Sequence, residues 1–353
     1  MNKIYLIIVS VVIISVGLNA YFVLSEIEKS KIESIRCANL NKNASLNDCD
    51  LHGMDLHGKN LVGATLRDAN LSGANLTNTS LYAVDLTRTN LRGADLTSTN
   101  LIRTNLRYAD LSGANLAEVN LAGVDLTNTK LTGANLRFAK LTGATIIEAD
   151  LSGANLNYAN LISVDLSGAD LTKTNLRGAD LTHAKLIGAN LRDAALIHSH
   201  LIYADFSGAN FNYANLDSAT LIEADLFGAT LRYAKLTSAI LSYANLLEAD
   251  LTGADLTGAN LYSVTLTSAN LTGADLTGAN LYSETIMSTD LSYANLAGVD
   301  LTKTNLVGAN LTGANLTGAT LIDRGLIGAN LTGANLIAVT IKVNTYSDCG
   351  LCE

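Results

Sequence analysis

From Leu46 to Ile341 every fifth residue is large and apolar, sixty positions in a row without insertion or deletion. Fifty-five are leucine; the others are Ile146, Phe206, Phe211, Ile286 and Ile341. Two residues before each, the side chain is usually alanine, sometimes valine or threonine, with Asp, Asn, Thr or Lys most often between them. Two polar or variable residues follow, the second often glycine, as in Ala74-Asn75-Leu76-Thr77-Asn78. A period of five fits neither the 3.6-residue helix nor a long strand of period two. Within each unit, however, alanine and leucine lie two apart around a polar residue, which is strand alternation for three residues. The next two residues, rich in Gly, Asn, Ser and Asp, suit a turn. The pattern predicts a coil of very short extended sides joined by corners, with alanine and leucine pointing inward.

A second period sets the size of the coil. Residues 251–264 read LTGADLTGANLYSV and residues 271–284 read LTGADLTGANLYSE, thirteen matches of fourteen at a shift of twenty. Twenty residues make four sides of five. These units resemble the pentapeptide-repeat proteins, whose motif is A(D/N)LXX, over roughly residues 44–343. The resemblance implies an all-β solenoid: a right-handed quadrilateral β-helix of about 15 coils, with leucine on the axis and alanine beside it. At ~4.8 Å per coil the rod would be about 72 Å long.

Composition agrees with one small unit repeated many times. The 353 residues contain no proline and no tryptophan, 28 glycines and 16% charged residues, against a usual ~25%. Proline would remove a donor from a ladder between coils. The net charge of −9 argues against direct nucleic-acid binding.

The ends are organised differently. Residues 4–24 carry no charge and are long enough to span a bilayer, so 1–24 are expected to be a transmembrane anchor or signal-anchor, with a cleaved signal peptide as the other reading. Residues 25–43 then form a stalk and N-terminal cap, and 344–353 a cysteine-containing tail. The rod separates Cys37 and Cys49 from Cys349 and Cys352, so each pair is expected to bridge within itself if bridges form. End staples, free thiols, and redox or zinc chemistry at the C-x-x-C remain open.

No catalytic motif is present: no G-x-S-x-G, phosphate loop or H-E-x-x-H. No cofactor or metal site and no enzymatic activity are expected; His198 and His200 read as exposed polar variation. Residues twenty apart stack, so His183, Tyr203, Glu223 and Tyr243 share a corner column, as do Tyr213 with Tyr233 and Phe138 with Tyr158. Tyr262 and Tyr282 recur at the same shift. These columns read either as stabilising ladders or as an interaction surface. Thr252, Thr272, Ser292, Thr312 and Thr332 form a polar column that could order water. Glu284 and Arg324 occupy alanine slots two coils apart: either they form an internal ion pair, with Thr304 between them to hydrogen-bond one or the other, or Gly325 lets the corner bulge and turns Arg324 outward.

The expected function is a non-enzymatic, membrane-tethered rod, single-pass and with the β-helix outside the cytoplasm, presenting regular faces to a protein or envelope partner. The alternative that the resemblance offers is a DNA mimic that protects a topoisomerase such as gyrase. Residues 44–343 hold 27 acids against 18 bases, a net of −9. DNA of that length would carry about 42 charges at one per ~1.7 Å.

Overall fold

The structure, a computed structural model, describes residues 28–282 and 286–342. Residues 28–37 are helical, and the coil begins directly after them. The residue before most leucines forms a parallel bridge with the residue twenty positions on, from Ser45↔Thr65 to Asn315↔Asn335, though Asn280 with Asp300 and Asn305 with Gly325 do not. A coil is therefore twenty residues with four sides. Among the described residues, bridges lengthen into strands only at the C-terminal end, β1 (Thr320–Ile322) and β2 (Thr340–Lys342), which pair in parallel with Thr320 opposite Thr340.

One unit shows why the motif has its form. Leu71 N–H donates to Asn90 O (2.7 Å) and Gly73 N–H to Arg92 O (2.8 Å), both in the following coil. Asn75 N–H donates back to Met54 O (3.0 Å), and Ala74 N–H closes the corner onto Leu71 O (3.1 Å). Ser72 N–H alone has no backbone partner in this scheme; it donates to the Asn70 side-chain Oδ1 (3.2 Å). The Asp or Asn before leucine thus acts as an Asx turn, satisfying an amide that the corner would otherwise leave bare. Where that residue is missing, a side chain in the preceding coil can substitute: Asn47 accepts from Arg67 N–H, Asn212 from Arg232 N–H and Asp217 from Thr237 N–H.

The corner needs positive φ at its second residue, as in a four-residue turn with a left-handed third position. Glycine meets that need at Gly73 (φ 65°), but Tyr158 (56°), Glu223 (55°) and His183 (58°) adopt it too. No described residue with positive φ is β-branched, although threonine is abundant one position earlier. A branched Cβ would meet the backbone in that conformation.

The axis is filled by leucines with almost no exposure, and Phe206 meets Phe211 edge-on at 5.0 Å. Each such leucine contributes about 1.5–3 kcal/mol of transfer free energy before chain entropy is subtracted. Threonines in alanine slots remain buried because their hydroxyls have an acceptor. Thr79, Thr89 and Thr174 donate to the carbonyls of Leu56, Leu66 and Leu151 in the preceding coil.

Regularity fails where the amino-acid pattern runs on unbroken. Lys59 occupies an alanine slot, yet in the first coil it is exposed. Near the other end, Asp323–Leu326 form a 3-10 helix in place of a corner. Gly325 packs there so closely that a Cβ would lie about 3.0 Å from Thr304 O. Thr304, expected to serve Glu284 or Arg324, instead donates its hydroxyl to Leu281 O (2.6 Å). Glu284 lies outside the described residues, and with it the expected ion pair to Arg324. The apolar segment 4–24 and the pair Cys349 and Cys352 also lie outside them; among the described residues no helix is long and apolar enough to cross a membrane. A disulfide joins Cys37 at the end of the helix to the buried Cys49 of the first coil.

Candidate interaction edges

The four corners of successive coils stack into four edges. One edge carries His183, Tyr203, Glu223, Tyr243, Tyr262 and Tyr282. His183 and Tyr203 stack at 4.9 Å, and the Tyr203 hydroxyl donates to Glu223 Oε1 (3.2 Å). The Glu223 charge, reinforced by that bond and by slight burial, raises the Tyr203 pKa. Tyr243 meets Tyr262 edge-on at 5.4 Å, and Tyr262 stacks on Tyr282 at 5.4 Å. Loss of solvent, then the neighbouring Tyr262, raises the Tyr243 pKa. These six residues form a near-continuous ladder.

Tyr213 and Tyr233 do not belong to it. They stack at 5.4 Å with Arg192 over Tyr213, but ten residues is half a coil, so they lie on the diagonally opposite edge. The Tyr233 ring leans onto Gly253, leaving no space for a Cβ there. Phe138 and Tyr158 stack on a third edge, and Tyr158 ends in the same way against Gly178.

The edges also differ in the residue after leucine. Along the tyrosine edge that position includes Val62, Tyr82, Ile102, Ile162, Ile202 and Ile222; diagonally opposite it reads Ser72, Arg92, Ser112, Thr132, Ser152 and Thr172. Stacking only like rings hides this asymmetry, whereas sorting every residue into twenty-residue columns reveals it. The polar edge is closed on itself. Thr272, Thr312 and Thr332 donate their hydroxyls to Asn270, Asn310 and Asn330, so they do not face water as a free donor lattice. Arg92 and Arg232 pair with Asp110 (3.6 Å) and Asp250 (2.6 Å) of the following coil. His198 is an exposed corner (φ 56°), and Ser199 between the two histidines donates to Leu196 O. Among the described residues no His, Cys, Asp or Glu cluster could hold a metal ion.

A chain folded into twenty-residue coils, with Asx-capped sides and a leucine axis, defines a β-helical solenoid. The family model described as Pentapeptide repeats (8 copies) matches in successive stretches from 44–81 to 244–281 and again at 288–323. The chain belongs to the pentapeptide-repeat family and has its right-handed β-helix fold. The matches skip 282–287, the stretch that holds Glu284. HetL, a pentapeptide repeat protein involved in heterocyst differentiation regulation from Nostoc sp. strain PCC 7120, is 34% identical over 69% of this chain and 93% of its own, with a TM-score of 0.30. Rfr23 from Cyanothece 51142 is 26% identical over 42% of this chain and 87% of its own (TM-score 0.22). QnrB1, a plasmid-mediated fluoroquinolone resistance protein, is 19% identical over 62% of this chain and 89% of its own (TM-score 0.23). No curated protein sequence matches the chain.

Proposed function

We propose that the protein is a non-enzymatic interaction rod of about fifteen coils, tethered to a membrane by residues 4–24 and standing outside the cytoplasm. The observation that carries this reading is the tyrosine edge. Along this edge aromatic side chains alternate with branched apolar ones, the composition that recognition surfaces favour, whereas on the opposite edge Tyr213, Tyr233 and Tyr293 stand among serines, threonines and arginines. The partner is a protein or an envelope component that lies along this edge. The Cys37–Cys49 disulfide supports an oxidising compartment, because such bridges do not persist among cytosolic thiols. It also supports the tether, since it locks the stalk helix to the first coil.

The test is membrane fractionation followed by protease added outside intact cells. The full chain is expected in the membrane fraction with its rod digested from outside, and a chain beginning at residue 25 is expected to be soluble and folded. Full-length protein that is soluble without detergent, or a rod shielded until the cells are broken, would refute the tether or the orientation. Purified rod added to a gyrase supercoiling assay containing a quinolone addresses the DNA-mimic alternative; protection there would favour it.

A further inference from the structure

The tyrosine ladder stops one rung short. Tyr262 stacks on Tyr282, but twenty residues on the column holds Thr302, too small to cover the ring. A pocket of about 200 Å³ opens there, lined by Asn280, Tyr282, Asp300, Thr302 and Lys303. Other ladders close differently: the rings of Tyr158, Tyr233 and Tyr293 lie against Gly178, Gly253 and Gly313 of the next coil.

The polar groups around the pocket are mostly engaged. Asn280 Oδ1 accepts from Tyr282 N–H (3.2 Å), and its Nδ2 donates to Asn260 (3.0 Å). Asp300 Oδ1 accepts from Thr302 N–H (2.9 Å). That bond, then one from the Thr302 hydroxyl, holds the carboxyl below its usual pKa against a small opposing effect of burial. Lys303 takes part in none of the described ion pairs. The pocket thus offers one ring, one cation and the Asp300 carboxylate, whose Oδ1 already accepts from Thr302, and few free groups for a ligand that needs many hydrogen bonds.

We infer that this pocket receives an aromatic side chain of a protein partner, stacked on Tyr282 as the next rung, with a neighbouring carboxylate of the partner paired to Lys303. Offset stacking favours a ring there, and the exposed cation selects acidic neighbours. The inference rests on the reading of the rod as a protein-binding surface and places its anchor point at the end of the ladder.

The chain contains no tryptophan, so a tryptophan probe reports binding without background. Acetyl-Trp-Asp-amide titrated into the full-length protein should show saturable fluorescence change in the millimolar range. Thr302→Tyr, which fills the empty rung, should weaken binding at least tenfold without lowering the melting temperature. Should Thr302→Tyr misfold, Tyr282→Ala, which removes the stacking ring, should give the same loss. Lys303→Ala should weaken Trp-Asp binding severalfold and leave neutral acetyl-Trp-amide unchanged. Absence of saturable binding, or equal binding by Thr302→Tyr, would overturn the inference. Saturable binding of glucuronic acid in place of the peptide would overturn it in favour of a carbohydrate partner. None of these outcomes alters the fractionation result, so failure here is separable from failure of the tethered-rod reading.

Discussion

Gly153-Ala154-Asn155-Leu156 and Gly333-Ala334-Asn335-Leu336 are the same four residues in the same column of the rod. Their corners are alike, with φ of 65° at Gly153 and 68° at Gly333, and Asn155 and Asn335 both donate backward to a carbonyl of the preceding coil. Their fates differ in the forward direction. Leu156 N–H donates to Asn175 O (2.7 Å) and its side chain is 0% exposed. Leu336 has no coil after it among the described residues, and its side chain is 47% exposed. Identical sequence therefore gives a core residue in one place and a surface residue in the other. Burial in this solenoid is supplied by the neighbouring coils, as expected of a quasi-one-dimensional fold.

The comparison can be broken most forcefully at the leucines. Leu156→Ala should cost about 2–5 kcal/mol through lost transfer energy and a cavity that the adjoining coils cannot close. Leu336→Ala should cost less than ~1 kcal/mol. Thermal unfolding of the two variants checks this, and equal losses would mean that the last coil is covered.

The corners give a smaller contrast. Gly153→Ala forces a Cβ into a left-handed corner but meets no neighbour, and should cost about 1 kcal/mol. Gly178→Ala must also displace the Tyr158 ring, so it should cost more. In a Tyr158→Ala background the difference should vanish, which a double-mutant cycle measures.

The Asx turns give the smallest effect. Asp150 accepts from Ser152 N–H (2.9 Å). Burial raises its pKa, but hydrogen bonds from Ser152 and Thr132, with Lys130 nearby, outweigh that and leave it lowered. A depressed carboxyl stabilises the fold above its unfolded pKa, near 4, and loses that contribution as pH falls through the lower folded value. Melting temperature should therefore be level from pH 5 to 7 and fall below about pH 4. Asp150→Ala should cost about 1 kcal/mol at neutral pH. Asp150→Asn keeps the acceptor, so it should be nearly silent there and remove part of the acid sensitivity.

The coil was legible because its physics is periodic. The five-residue spacing from Leu46 to Ile341 marks the buried side chains, and the shift of twenty at 251–284 marks the register later seen in the bridge from Asp255 to Asp275. The task of the Asp or Asn before leucine was not legible: alternation says that Asn70 points outward, not that it turns back to cap Ser72 N–H. The exposure of Lys59 was not legible either, because the repeat rule does not say that a first coil leaves its alanine slots open. The interaction edge was half legible. Columns twenty apart bring His183, Tyr203, Glu223 and Tyr243 together. Tyr213 and Tyr233 form a separate column, because ten residues cross the rod. The pocket beyond Tyr282 comes from what is absent at Thr302, and no pattern of like residues points to an absence.

The most direct test is amide hydrogen exchange in the folded full-length protein, resolved at Leu156 and Leu336. Exchange tracks local opening, so two amides in identical sequence should report only their neighbours. The Leu156 amide is predicted to exchange at least a thousandfold more slowly than that of Leu336. Equal protection at Leu156 and Leu336 would contradict the account, because stability would then follow the local sequence or a covered end rather than the stacking of one coil on the next.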